Sequence, residues 1–164
     1  MTQCGICGKL NRIVNECRCD PNNLPTVARK QKPVLSSFVG RSQASAIRSA
    51  MRGEEGDWFR SKMKEMQAII DGMPVSYETD GDGKPKVAQL HYFGGNSDAW
   101  IVELDKGSPD DTPEDYQSQA WGMVDLGYGA ETGYVSIPEL LANGLELDLY
   151  WKPKTLDEIK DKRG

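Results

Sequence analysis

VAQLHYFGGNSDAWIVELD, residues 87–105, decides the fold. Aromatic and branched apolar residues crowd both flanks of GGNSD (94–98), and polar ones fall between them with a period of two. That period belongs to strands whose side chains alternate between two faces, and a Gly-Gly-Asn turn folds one strand back on the next. The stretch therefore reads as an antiparallel hairpin, with strands at 87–93 and 99–105.

The same reading spreads outward. Downstream, KGSPDDTPEDY (106–116) is an acidic exposed loop, QSQAWGMVDL (117–126) a third long strand, GYGAETG (127–133) a turn and GYVSI (133–137) a short extension. PELLANG (138–144) makes one or two helical turns with Pro138 at the first position. LELDLYW (145–151) is the last strand, with Leu145, Leu147, Leu149 and Trp151 alternating with Glu146, Asp148 and Tyr150. TLDEIKDKR (155–163) is a terminal helix capped by Thr155.

Upstream, VSYE (75–78) is a short strand. DGDGK (80–84) is a turn that lacks the later ligand positions of a calcium loop. Residues 42–52 form a helix capped by Ser42, with Ala46, Ile47, Ala50 and Met51 on one face. A second helix runs over 57–71 from an Asp57 cap, with Trp58, Phe59, Met63, Met66, Ile69 and Ile70 as its apolar stripe. Gly72 and Pro74 end it. Residues 42–164 are thus expected to form an α+β domain, an antiparallel sheet of about five strands with helices on one face. Trp58, Phe59, Leu90, Trp100, Ile101, Leu147 and Leu149 are its expected core.

Before this domain the chain changes character. All four cysteines lie in the first 19 residues, as Cys4-x2-Cys7-x9-Cys17-x-Cys19. No apolar run is long enough to span a membrane, and MTQCGICGK has no secretory pattern, so the expected compartment is the reducing cytoplasm, where stable disulfides are rare. Paired thiolates at this spacing then read as a tetrahedral zinc knuckle over residues 1–20, with Gly5 and Gly8 letting the backbone turn around the sulfurs. Four thiolates leave no open position, so such a zinc is structural. Cys17-Arg18-Cys19 is tighter than the usual pair spacing, and free or oxidised thiols stand as the other reading. Residues 21–41, with three prolines and the cluster Arg29, Lys30 and Lys32, read as a basic linker or arm.

Charge divides the same way. The chain carries a net −5, yet residues 1–52 hold nine Lys or Arg against two acids, and residues 87–148 hold twelve acids against one lysine. Such a split suggests two surfaces with different partners, or a basic arm lying on an acidic body, and solubility is the plainer account.

LHYFGGNSDAWIVELD, then QSQAWGMVDLGYGAETGYVSIPELLANGLELDLYWKPKTLDEI, with the lead-in MRGEEGDWF, MKEMQ and GMPVSYETDGDG, resembles a domain family of unknown function carried by phages, plasmids and other mobile elements of bacteria. The resemblance covers roughly residues 46–159 and leaves the cysteine cluster outside. It implies a bacterial or phage intracellular protein and no catalytic residues. Where other members tend to have a basic, histidine-containing strand, this chain has Gln117-Ser118-Gln119.

Three functions follow as expectations. The first is a non-enzymatic binding protein of a mobile element that docks on host or phage nucleic-acid machinery. Its acidic body, with Asp110, Asp111, Glu114 and Asp115 as partner-binding candidates, would imitate the charge of nucleic acid, as anti-defence proteins often do. The second is direct nucleic-acid binding through the zinc module and Arg29, Lys30, Lys32, Arg41 and Arg48. The third is a small enzyme built on His91, the single histidine, with Gln119, Glu103 and Glu131 converging on one sheet face. No phosphate-binding glycine loop, GxSxG or HExxH is present, and the reading leans away from an enzyme.

Overall fold

The computed structural model describes residues 33–107 and 119–163 in full, and the backbone alone at Thr2–Gln3 and Leu10–Asn11. Those two short segments, β1 and β2, pair antiparallel. Cys4, Cys7, Cys17, Cys19, Arg29, Lys30, Lys32, Asp110, Asp111, Glu114 and Asp115 lie outside the described residues, and with them the zinc module and most of the basic arm.

The hairpin is where the alternation placed it. Leu90–Gly94 (β4) pairs with Ser97–Leu104 (β5) around Gly95, whose φ of +58° is the left-handed conformation the turn requires. Gln119–Asp125 (β6) pairs with β5, and Ala130–Ser136 (β7) pairs with β6 at all seven positions. Glu146–Leu147 (β8) closes the other side, so the five-stranded antiparallel sheet runs β7-β6-β5-β4-β8. Val87–Ala88 (β3) pairs separately with Lys154–Thr155 (β9).

Among the described residues four α-helices surround the sheet: α1 (Arg41–Ala50), α2 (Gly56–Gly72), α3 (Ile137–Ala142) and α4 (Leu156–Arg163). The inward residues of α1, α2 and α3 meet Leu90, Tyr92, Ala99, Ile101 and Ala120 on one face. Packing begins ahead of α1, because Phe38 and Val39 are buried and the Gln67 side chain holds both Leu35 N and Pro33 O. Helices on one face alone is not what the fold shows. Leu156 and Ile159 of α4 pack on the opposite face, with Ala88, Trp100, Val102 and Met123. That face carries enough apolar surface to need its own cover.

Other local expectations are corrected. LELDLYW keeps only Glu146–Leu147 in the ladder, because Asp148 turns its side chain to His91 and to the Tyr150 amide. VSYE forms turns with a single parallel bridge, Val75 to Leu104, and β7 is longer than the expected 133–137. Gly40 and Glu55, not Ser42 and Asp57, occupy the cap positions of α1 and α2. Trp58 is 39% exposed rather than in the core, while Leu90, Trp100, Ile101, Leu147 and Leu149 are buried and Phe59 partly so. Thr155 does cap α4, in a reciprocal box: its Oγ1 accepts from Glu158 N at 3.2 Å and Glu158 Oε2 accepts from Thr155 N at 2.8 Å.

One irregularity positions the polar groups. Register shifts between Ile101 and Glu103, a bulge that sets Glu103 opposite Trp121. Gly122 lies beside it. A Cβ there would stand 1.9 Å from the Trp100 carbonyl oxygen, so only glycine fits the close approach.

Candidate functional site

His91 is the centre of a chain of charges. It pairs across the hairpin with Trp100, so the two share a face, and their rings stack at 5.4 Å with 9° between planes. Trp151 closes the ring's other side at 4.8 Å. His91 Nδ1 is 3.0 Å from Asp148 Oδ2, and Nε2 is 2.9 Å from Asp98 Oδ1. Asp148 reaches that place because its backbone N–H donates to His91 O at 2.8 Å just past β8. Asp98 Oδ2 then accepts from Arg163 Nη1 at 2.8 Å, and Arg163 Nη2 donates to Asp125 Oδ2 at 2.7 Å. Asp125 Oδ1 ends the chain on the amides of Gly127 and Gly129.

The pairing explains why it is needed. Asp98 and Asp125 are directly opposite on β5 and β6, where like charges repel. Arg163 lies over the Trp100 ring at 4.9 Å and holds both. Burial pushes the Asp98 carboxyl up, but the bonds from Arg163 and His91 together outweigh it and hold it below its ordinary value. The Gly127 amide, then Gly129 and Arg163, hold Asp125 below its ordinary value against a smaller push from burial. Both imidazole nitrogens face carboxylate oxygens. The arrangement clamps α4 and the 148–151 segment onto the sheet.

The groups expected beside His91 are elsewhere. Glu131 stands opposite Val124, on the α1–α3 face, and Gln119 is exposed at the start of β6. Glu103, only 3% exposed, serves the loop before β3. Its Oε2 accepts from Tyr77 N at 2.8 Å, and its Oε1 accepts from Thr79 N at 2.9 Å and Thr79 Oγ1 at 2.5 Å. Those bonds hold Tyr77 at a φ of +68°, a conformation that a bulky residue adopts only when its surroundings impose it. Lys86 Nζ donates to Thr79 O, and a cavity of about 230 Å³ opens between this loop, Trp121 and Tyr134. The Tyr134 O–H donates to the Tyr77 side chain, and that bond is the main reason the Tyr134 hydroxyl is pushed up to about 12.

A groove of about 870 Å³ lies between the β4–β5 turn, β7 and α3. Val124, Leu140 and Leu145 form its apolar floor. Leu126, Tyr128 and Tyr134 stand on its rim, 61%, 99% and 50% exposed. Among the described residues its charged lining is Glu131 and Glu139, with no Lys or Arg.

Of the expected nucleic-acid contacts, Arg41 and Arg48 are exposed on α1. Among the described residues no cluster of His, Cys, Asp and Glu is arranged to hold a metal ion, and no helix is long and apolar enough to cross a membrane. Sequence reasoning missed Asp98, Asp125, Asp148 and Arg163 as one network. The available signal was that three acids interrupt otherwise apolar strands, at a turn edge or strand end where a cation from elsewhere can reach them. Comparison with protein-family models, with curated proteins and with solved structures returns no match to this chain.

Proposed function

We propose that this chain is a non-enzymatic binding protein of a phage or other mobile element, which docks its acidic sheet domain on the nucleic-acid machinery of the host or phage. The observation that carries this reading is the groove beside β7. It combines exposed aromatic and aliphatic side chains with a charged lining that, among the described residues, is acidic only. Exposed apolar surface bounded by polar groups marks interaction sites, and one-signed charge selects the partner. Asp110, Asp111, Glu114 and Asp115 extend the negative charge in sequence, so a basic nucleic-acid-binding channel is the surface it complements. The polar network around His91 supports the same reading, because its members are consumed by one another.

Zinc is proposed as a structural ion of the cytoplasmic protein, held by Cys4, Cys7, Cys17 and Cys19. Four thiolates suit a closed tetrahedral site. The second reading, nucleic-acid binding through Arg29, Lys30, Lys32, Arg41 and Arg48, draws on the exposure of Arg41 and Arg48.

The test is competition. The purified protein is expected to displace DNA from a basic DNA-binding protein of the host without binding DNA itself. Reversing Asp110, Asp111, Glu114 and Asp115 to lysine is expected to abolish the displacement. Salt-dependent binding of DNA by the chain, lost when Arg29, Lys30 and Lys32 are neutralised, would overturn the first reading in favour of the second.

A further inference from the structure

We propose that β7 accepts an added strand: an extended, cationic segment of a partner protein pairs with its outer edge and lays alternate side chains into the adjoining groove. This rests on the reading of the chain as a binding protein with an acidic face, and it specifies where and how that face binds.

The two edges of the sheet are built differently. One is β8, two residues long, which offers little backbone to a stranger. The other is β7, seven residues paired to β6 without a bulge, with no strand on its outer side among the described residues. Exposed edges are normally blunted by shortness, charge, proline, a bulge or a covering element. AETGYVS is long, has no proline and no bulge, and carries the single charge of Glu131. Its residues are exposed or half-buried throughout, although it is among the longest strands of the sheet.

The groove follows this edge. Glu131, Thr132, Gly133, Tyr134 and Val135 all line it. Successive strand residues point to opposite faces, so a concavity touching five in a row runs along the strand's side rather than over one face. Gly133 sits at the middle of β7, and a Cβ there would meet nothing within 4 Å. Packing within the described chain therefore does not require glycine at this position. A glycine inside a strand often marks a bulge, a tight bend or the close approach of a ligand or another backbone, and β7 has no bulge.

Charge selects the occupant. Glu131 is the charged residue of β7 itself, and Glu139 of α3 joins it in the groove. A segment paired with β7 gains most from Lys or Arg directly opposite Glu131, with aliphatic or aromatic residues beside Thr132 and Tyr134 on the other face. A second copy of β7 would instead bring two sets of Glu131 and Glu139 into one groove, with like charges gathered together.

The experiment uses the full chain, isotope-labelled, and a synthetic peptide of alternating lysine and valine. Amide shifts and hydrogen exchange of β7 are followed as the peptide is added. Binding is expected with slowed exchange of the β7 amides that face outward. A peptide methylated on alternate backbone nitrogens is expected to bind at least about tenfold more weakly, because strand addition depends on main-chain hydrogen bonds. Glu131→Lys, a change at an exposed position, is expected to reverse the preference toward a peptide of alternating glutamate and valine. Equal binding of the methylated peptide, or unchanged exchange at β7, would overturn the proposal. So would concentration-dependent dimerisation that protects β7 without peptide, since the occupant would then be a second copy. Peptide binding without DNA displacement would leave this edge standing and remove the nucleic-acid-machinery reading. Displacement without peptide binding would do the reverse.

Discussion

The two faces of the sheet solve one problem by different means. The face under α1, α2 and α3 is held by aliphatic and aromatic burial, with Leu90, Ile101 and Ala120 fully covered. The face under α4 has a smaller apolar patch, and beside it Asp148, His91, Asp98, Arg163 and Asp125 form a line of charge-assisted bonds. Apolar burial is non-directional and scales with the area removed from water. A line of hydrogen bonds fails if any member is misplaced, because removal of one partner leaves the next unsatisfied. The first face therefore supplies bulk stability, and the second fixes where α4 and the 148–151 segment sit.

Ile101→Ala tests the first half of that contrast and carries the largest expected effect. Ile101 is fully buried, and the change is expected to cost ~2–5 kcal/mol in urea unfolding, with little dependence on salt. A loss that salt strongly alters would break the distinction between the faces.

His91→Phe comes next. It keeps a ring against Trp100 and Trp151 but removes the imidazole nitrogens that meet Asp98 and Asp148. A cost of ~1–3 kcal/mol is expected, together with faster amide exchange in α4 and residues 148–151. A cost as large as that of Ile101→Ala would mean that the polar line, not the apolar face, dominates stability.

Acid sharpens the comparison further. Asp98 and Asp125 both have carboxyls lowered from 3.8 by their partners. Below the unfolded value the unfolded chain binds more protons, so stability falls as pH drops through the lowered native values. Their contribution is complete above the ordinary carboxylate range. It is lost as pH falls below the ordinary carboxylate value and through the lowered native ones. Arg163→Gln, which removes the cation both share, is expected to flatten this acid limb of a urea-midpoint profile. An unchanged limb would show that the network is not what acid dissolves.

Tyr128→Ala is the smallest expected change. The residue is 99% exposed, so stability should stay within about half a kcal/mol, with any loss appearing in partner binding alone. A clear drop in the unfolding midpoint would show that the groove rim helps hold the fold.

The two faces also differed in how legible they were. The hairpin, β6 and the apolar stripe of α2 followed from periodicity, which is local. α4 had a readable cap at Thr155 but no readable destination, because Leu156 and Ile159 are too few to declare a face. The polar line was hidden for a related reason. His91 and Asp148 are 57 residues apart, and Asp98 and Arg163 are 65 apart, so their meeting depends on the whole sheet. Trp58 misled because its place in the stripe points inward only in part; its ring instead stacks on Tyr150 at 5.3 Å. Val75–Glu78 misled because Glu103, not a neighbouring strand, satisfies the Tyr77 backbone N–H.

That last arrangement has a practical consequence. Glu103 grips the loop mainly through the main-chain amides of Tyr77 and Thr79, and only the Thr79 hydroxyl adds a side chain to the grip. An anchor that recognises backbone is indifferent to most of what the loop displays. Tyr77 and Glu78 also hold the loop through their side chains, Tyr77 bonding Tyr134 and Glu78 Oε2 accepting from Val75 N, so position 76 is the natural graft position. Foreign side chains can be installed there, with Tyr77 and its left-handed backbone kept, while the carboxylate beneath holds the loop in the same shape.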